Sequence, residues 1–160
     1  MGVMAFVIGG GETLAVRGVL RVSPRGAPQD DLGDGPFMPK MIAVIDDEES
    51  IRDSLRALLR SAGYEPRTFS SAELFLESGV AARIGCLILD VRMPGIDGPE
   101  LQVRLRKQHA HIPIIFITAH DDGPVRERVL KAGALDVLNK PFAPADLLST
   151  VQVAFREEVR

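Results

Sequence analysis

Five polar residues stand directly after short apolar runs of the sequence. They are Asp46 and Asp47 after the first run, Asp90 after the third, Thr118 after the fourth and Lys140 after the fifth. Three carboxylates held close together repel one another and resist ionisation unless a cation lies between them. Magnesium suits such a group, because it takes one or two carboxylates and keeps waters that a phosphate can displace. Lys140 supplies an ammonium and Thr118 a hydroxyl group, and both can bind phosphoryl oxygens. The five residues together are typical of phosphoryl transfer onto an aspartate.

Each of these residues also has an ordinary structural interpretation. Asp46 and Asp47 are typical of a helix N-terminus, where they cap the chain and oppose the helix dipole. Asp90 precedes a Met-Pro-Gly turn, Thr118 suits a strand end, and most lysines are simply solvated. The functional interpretation depends on their coincidence at the ends of four predicted strands.

The elements that must position these residues alternate regularly from Met41 onward. Apolar runs predict strands, and apolar residues three or four apart predict helices. The predicted strands are Met41–Ile45, Glu65–Phe69, Cys86–Leu89, Ile112–Thr118 and Leu135–Leu138, and the helices begin near Ile51, Ser71, Pro99, Pro124 and Ala143. This alternation predicts an α/β fold with a single doubly wound, five-stranded parallel sheet. Ligands bind such sheets at the carboxyl ends of the strands, where the polar residues stand.

The composition excludes several classes of protein. The chain has 160 residues, of which 46% are hydrophobic and 26% charged, with a formal net charge of −3. This balance argues against a protein that grips the nucleic-acid backbone, and the single Cys86 excludes a disulfide scaffold or a zinc module. The apolar runs are far shorter than the roughly 18 to 20 residues that cross a bilayer. We therefore expect a soluble, cytoplasmic protein.

The N-terminal segment differs from the rest of the chain. Residues 1–40 hold 8 of the 15 glycines and 4 of the 11 prolines, without hydrophobic periodicity. Such a segment buries too little apolar surface to offset its chain entropy. We predict that residues 1–39 form a largely disordered extension and residues 41–160 a single domain. The two methionines at 38 and 41 also suggest that synthesis naturally begins there.

Four motifs follow one another in the predicted domain. They are VIDDE at 44–48, LDVRMPGIDG at 89–98, ITA at 117–119, and KAGA at 131–134 with NKPF at 139–142. In this order and spacing the region from Met41 to Arg160 resembles the receiver domain of two-component response regulators, most closely the FixJ-like branch. The resemblance implies the flavodoxin-like (βα)5 fold of that family.

The resemblance also implies how the acidic residues act. Asp90 would accept a phosphoryl group from the phosphohistidine of a histidine kinase, in a reaction that requires Mg²⁺. Asp47, Asp90 and the backbone carbonyl of Arg92 would bind the ion, and Asp46 would act mainly through a bound water. The domain would thus be a signalling phosphoacceptor that catalyses its own phosphorylation and dephosphorylation, not an enzyme acting on other substrates.

The remaining site residues carry the expected switch. Lys140 would pair with Asp90 and then with the phosphoryl group, and the bond from Lys140 to Pro141 is usually cis in the family. Thr118 would turn inward to hold a phosphoryl oxygen. The family commonly has an aromatic residue at position 137, where this chain has Val137, so we expect a weakened or rerouted coupling. His120 occupies a position that influences the lifetime of the phosphate.

The last predicted helix ends with the sequence, which predicts a stand-alone receiver. Such a protein would signal by protein–protein contact or phosphate relay, without direct binding of nucleic acid or membrane. The expected partners are a sensor histidine kinase or phosphotransfer protein, a downstream target protein and, after phosphorylation, a second copy of the chain. The first helix, through Ile51 and Leu55, and the loop at 141–143 would dock the kinase.

Two other functions compete with this hypothesis. A magnesium-dependent phosphohydrolase would use Asp90 as a transient nucleophile, but such enzymes carry an Asp-x-Asp arrangement where this chain has an adjacent pair. An interaction module that is never phosphorylated would not need the complete acidic, hydroxyl and ammonium set.

Overall fold

The computed structural model describes residues 40–109, 111–119 and 122–158. The predictions about the extension over residues 1–39 and about His120 fall outside these described residues. Within them, no helix combines the length and the apolar character needed to cross a membrane.

Five parallel strands form one sheet in the order β2-β1-β3-β4-β5. They are β1 (Met41–Ile45), β2 (Glu65–Phe69), β3 (Cys86–Asp90), β4 (Ile114–Thr118) and β5 (Asp136–Asn139). β3 and β4 are buried along their whole length. Strands covered on both faces need apolar residues at every position, which explains the continuous apolar runs that predicted them. The predicted five-stranded parallel sheet is confirmed.

Helices follow every strand of the described chain. They are α1 (Glu49–Ser61), α2 (Ala72–Ser78), α3 (Gly98–Gln108), α4 (Gly123–Lys131) and α5 (Pro144–Glu158), with a short 3-10 turn at Val80–Ala82 that the sequence did not predict. The side chains of Ser71, Asp97 and Asp122 cap the first turns of α2, α3 and α4. Each cap accepts a backbone N–H that the helix itself leaves without a partner.

Two hydrophobic cores lie on opposite faces of the sheet. Because alternate residues of a strand point to opposite faces, Leu87 and Leu89 enter one core and Ile88 enters the other. The second core also contains Leu55, which is only 3% exposed. The prediction that Leu55 helps to dock a kinase is therefore wrong, because its helical spacing directs it inward; Ile51 is half-buried beside the same core.

The structure corrects the bounds of three predicted strands. β3 ends at Asp90, one residue later than predicted. β4 begins at Ile114 and not at Ile112. Pro113 lacks the N–H that a strand residue donates, although its carbonyl accepts the N–H of Leu87 at 3.0 Å. β5 begins and ends one residue later than predicted, at Asp136 and Asn139.

Candidate functional site

The carboxyl ends of four neighbouring strands bring the predicted site residues to one edge of the sheet. Asp46 follows β1, Asp90 ends β3, Thr118 ends β4 and Lys140 follows β5. These four strands are adjacent in the sheet and all parallel. Residues that are up to 94 positions apart in sequence therefore meet at a single edge.

Three carboxylates form the centre of this edge. One oxygen from each of Asp46, Asp47 and Asp90 lies within 4.8 Å of the other two. Asp46 is fully buried and Asp90 is 5% exposed, whereas Asp47 is exposed. The donor set fits a hard divalent cation such as Mg²⁺, which combines a few carboxylate oxygens with several waters. The exposed third carboxylate lies on the side from which an ion and its waters can enter.

The acidic pair does not act as a helix cap. The N-cap residue of α1 is Glu48, and its side chain makes no capping hydrogen bond. Asp46 Oδ1 instead accepts the backbone N–H of Glu48 at 2.9 Å, which fixes the carboxylate in the turn after β1. Arg52 donates to the carbonyl oxygen of Asp46 at 2.9 Å and ties this turn to α1.

The environment of Asp90 disfavours its ionised form. Burial and the neighbouring charge of Asp46 raise the pKa of Asp90 from 3.8 to about 7, and the charge of Asp47 adds to this. The ammonium of Lys140 and the backbone N–H of Arg92, which donates to the carboxylate, act in the opposite direction. Burial and the repulsion within the cluster together thus outweigh the compensation that the protein itself provides, as expected of a site built for an added cation.

Lys140 links the members of the cluster. The bond from Lys140 to Pro141 is cis. Its ammonium Nζ lies 2.8 Å from Asp46 Oδ2, 3.3 Å from Glu48 Oε1 and 3.7 Å from Asp90 Oδ2. Burial lowers the pKa of Lys140, but the hydrogen bond to Asp46 and the charges of Asp90 and Asp46 outweigh it and raise the pKa overall. The expected contact with Asp90 is present, although the shortest contact is with Asp46.

The predicted switch residues lie on the adjoining strands. Thr118 is 5% exposed. Val137 is buried on β5 opposite Phe116 and, with Thr118 and Val125, borders a small cavity beside the site. The guanidinium of Arg92, by contrast, is more than half exposed.

Three further positions matter to the site, and of these only Gly98 was expected to have a structural role, at the end or start of a helix. Glu48 contributes the second-shortest contact to the lysine ammonium, at 3.3 Å. Glu73 on α2 accepts the backbone N–H of Ile96 at 3.0 Å and so holds the loop after β3. A Cβ at Gly98 would lie 2.4 Å from the carbonyl oxygen of Asp90, so only glycine allows α3 to begin there. The position of Glu48 beside the acidic pair was a usable signal, but Glu73 and Gly98 make contacts that only folding creates.

The chain is similar to known proteins over the region that contains this site. The family model described as "Response regulator receiver domain" matches residues 42–152. The chain is similar to Nodulation protein W of Bradyrhizobium diazoefficiens, with 45% identity over 114 residues that make up 71% of this chain and 50% of the relative. It is also similar to the Transcriptional regulatory protein FixJ of the same organism, with 42% identity over 116 residues, 72% of this chain and 57% of the relative.

Among solved structures, a response regulator receiver protein from Burkholderia phymatum has a similar fold. Its identity is 43% and its TM-score 0.64, over 72% of this chain and 94% of that one. The chain spans about half the length of the two relatives named above. The shared region is thus the region that carries the acidic edge, and the rest of those relatives has no counterpart in the match.

Proposed function

Because the chain belongs to the receiver-domain family of two-component response regulators, in its FixJ-like branch, we propose that Asp90 is its phosphoacceptor. The donor is the phosphohistidine of a sensor histidine kinase or of a phosphotransfer protein. The observation that carries the proposal is the group of three carboxylates whose oxygens lie within 4.8 Å of one another. The Lys140 ammonium pairs with two of these carboxylates, those of Asp46 and Asp90.

In the proposed reaction Asp90 is the nucleophile. One carboxylate oxygen forms a bond to phosphorus while the bond from phosphorus to the donor imidazole nitrogen breaks, and the imidazole leaves with the electron pair. The nucleophile must be ionised, whereas its pKa of about 7 leaves about half of it protonated at neutral pH. A cation bound at the acidic edge would favour the ionised form of Asp90.

The proposed metal ligands are Asp47, Asp90 and the backbone carbonyl of Arg92, with Asp46 acting through a water. Bound there, Mg²⁺ would neutralise the charge that develops on the phosphoryl oxygens. The burial of Asp46 supports its indirect role, because its two oxygens already accept bonds from Lys140 and from the backbone N–H of Glu48.

Lys140 and Thr118 would hold the phosphoryl group after transfer. The ammonium lies 3.7 Å from the nucleophile, close enough to contact a phosphoryl oxygen on it. Thr118 ends the strand next to the one that ends in Asp90, so its hydroxyl can donate to a phosphoryl oxygen on Asp90.

We further propose that the output is contact with a target protein, or onward transfer of the phosphate, without direct DNA binding. The net charge of −3 supports this, because nucleic-acid binding generally needs a basic surface. In this proposal the protein is cytoplasmic, is not an enzyme towards other substrates, and forms any homodimer only when phosphorylated. Gel-shift titration with duplex DNA tests the output: retardation by the phosphorylated chain at physiological salt would contradict it.

The phosphoacceptor is tested by incubation with acetyl phosphate and Mg²⁺, followed by intact-mass measurement. We expect the mass of one phosphoryl group on the wild type and none on Asp90→Asn. Asp47→Ala should lose both the adduct and any magnesium-dependent stabilisation while keeping its circular dichroism spectrum. Asp53→Asn, which removes an exposed carboxylate of α1, is the matched control and should be phosphorylated normally.

Two outcomes would overturn the assignment. An adduct that persists in Asp90→Asn would place the phosphate elsewhere. Sustained hydrolysis of p-nitrophenyl phosphate at or above about 1 turnover per second would favour the phosphohydrolase, since enzymes commonly reach that range.

A further inference from the structure

The exposed arginine next to the phosphoacceptor is paired with the start of a distant helix. Arg92 Nη2 donates to Asp122 Oδ2 across 30 positions of sequence. The other oxygen of the same carboxylate, Oδ1, accepts the backbone N–H of Val125 at 3.2 Å and caps α4. Asp122 therefore makes two separable contacts, and losing the arginine leaves the helix cap intact.

The two ends of α4 are held very differently. At its C-terminal end, the buried Gln102 donates to the carbonyl of Val129 at 3.0 Å, and Arg106 donates to the carbonyls of Ala132 and Gly133 at 3.4 and 3.2 Å. These bonds come from α3 and go to main-chain atoms. The N-terminal end is held by the pairing of Asp122 with the Arg92 side chain, which is more than half exposed, and by a bond from Arg126 in the first turn. An exposed ion pair is weak, so this end is the one that can be released.

A second contact ties the first turn of α4 to β5 at the atypical switch position. Arg126 Nη1 donates to the carbonyl oxygen of Val137 at 3.0 Å. This bond uses the main chain of Val137, so it does not require the aromatic side chain that is common in the family. A movement of α4 would be transmitted to β5 through this bond. The valine side chain takes no part in the bond, so the lack of an aromatic ring at position 137 does not interrupt the transmission.

We propose that Arg92 is a latch between the phosphoacceptor and α4, an inference that rests on the function proposed above. While Asp90 is unmodified, the guanidinium pairs with Asp122. Once Asp90 carries a phosphoryl group, the guanidinium moves to the phosphoryl oxygens, and the N-terminal end of α4 is released. The C-terminal anchor from α3 makes the motion a pivot rather than a detachment.

The chemistry favours this exchange of partners. A phosphoryl group brings up to two negative charges and three acceptor oxygens, against the single charge of a carboxylate. Guanidinium groups bind phosphate through two parallel hydrogen bonds. Arg92 lies two residues beyond Asp90, and its backbone N–H already donates to that carboxylate, so the side chain starts beside the modified atom. No covalent step is involved; only the partner of the guanidinium changes.

If Arg92 acts as a latch, substitutions of Asp122 and of Arg92 should change the affinity for a phosphoryl mimic in opposite directions. The probe is beryllofluoride with Mg²⁺, a non-covalent mimic of an aspartyl phosphate, titrated into the full chain by fluorine NMR. Asp122→Asn keeps an oxygen for the cap but frees Arg92, so the mimic should bind about two- to fivefold more tightly, the worth of an exposed ion pair. Arg92→Ala removes the phosphoryl contact and should weaken binding by about threefold or more. The double variant should behave as Arg92→Ala does.

Hydrogen exchange of α4 supplies the second measurement. In the wild type, the mimic should speed exchange of the amides of Val125–Leu130 by about two- to fivefold. In Asp122→Asn these amides should exchange faster even without the mimic, which then adds little. The matched control is Glu100→Gln, which breaks a comparable exposed pair with Arg104 at 2.9 Å on α3 and should change neither measurement.

The latch is refuted if both variants shift the affinity in the same direction, or if the mimic binds without changing exchange in α4. A wild type that neither binds the mimic nor gains phosphate from acetyl phosphate would refute the proposed function itself. The two failures are therefore distinguishable.

Discussion

Replacing Asp90 by Asn should stabilise the protein above about pH 4, and by the largest amount above about pH 7. The pKa of Asp90 is raised in the folded state, so the folded protein binds more protons than the unfolded chain between about pH 4 and about pH 7. The free energy of unfolding of the wild type therefore falls as the pH rises through this interval and levels off above it. Asparagine has the shape of the protonated acid and no charge, so the variant lacks this decrease.

The size of the effect follows from the pKa. A change in the pKa of Asp90 from 3.8 to about 7 sets an upper bound of about 4 kcal/mol on the stability that the wild type loses, at about 1.4 kcal/mol per pKa unit. The edge of the site is open to water at the exposed Asp47, and solvent screening reduces this amount. We expect Asp90→Asn to be about 2 kcal/mol more stable than the wild type at about pH 8, and equally stable below about pH 4.

The assay is urea unfolding without divalent ions, at several pH values between about 4 and 8. Glu77→Gln, which alters an exposed carboxylate of α2 outside the site, is the control and should show no such pH-dependent gain. Under the proposed metal binding, adding Mg²⁺ at about pH 8 should stabilise the wild type and leave Asp90→Asn nearly unchanged, because the variant lacks one of the three carboxylates. A stability difference that does not vary with pH, or an asparagine variant that is less stable at about pH 8, would refute the electrostatic reasoning.

Three further substitutions, two of them paired with a control variant, are tested by urea unfolding. Lys140→Ala leaves the fully buried Asp46 without its ammonium partner at 2.8 Å and should lower the free energy of unfolding by about 2 to 3 kcal/mol. An unchanged free energy of unfolding would mean that this ion pair does not stabilise the fold. Gly98→Ala should lower the free energy of unfolding by about 1 to 3 kcal/mol, because its Cβ would lie 2.4 Å from a carbonyl oxygen of β3. The control Gly123→Ala, whose Cβ would have nothing within 4 Å, should leave the free energy of unfolding unchanged or raise it slightly. Equal effects at the two glycines would contradict the steric argument. Asp97→Ala should lower the free energy of unfolding by about 1 kcal/mol, because α3 loses its N-terminal cap. Asp97→Ser keeps a capping oxygen and should lower it much less. Equal losses in the two variants would show that capping is not the cause.

Much of the fold was predictable because its signals are local. β1 and β2 were predicted with their observed boundaries. For β1 the reason is that a strand buried on both faces needs an uninterrupted apolar run. The error at the start of β4 has a backbone cause, the missing N–H of Pro113. The error at Leu55 has a different cause, because helical periodicity identifies an apolar face without telling whether a partner or the core covers it.

The order of the polar residues along the chain was enough to indicate one acidic edge, because parallel strands must end on the same side of their sheet. The pairing of Arg92 with Asp122, the preference of Lys140 for Asp46 and the lack of space at Gly98 could not be inferred in the same way. Each depends on where side chains from separate elements meet, and this is set by how helices pack on the sheet. Sequence alone therefore determined which chemical groups reach the site, whereas tertiary packing decided which partner each group has and how strongly their charges interact.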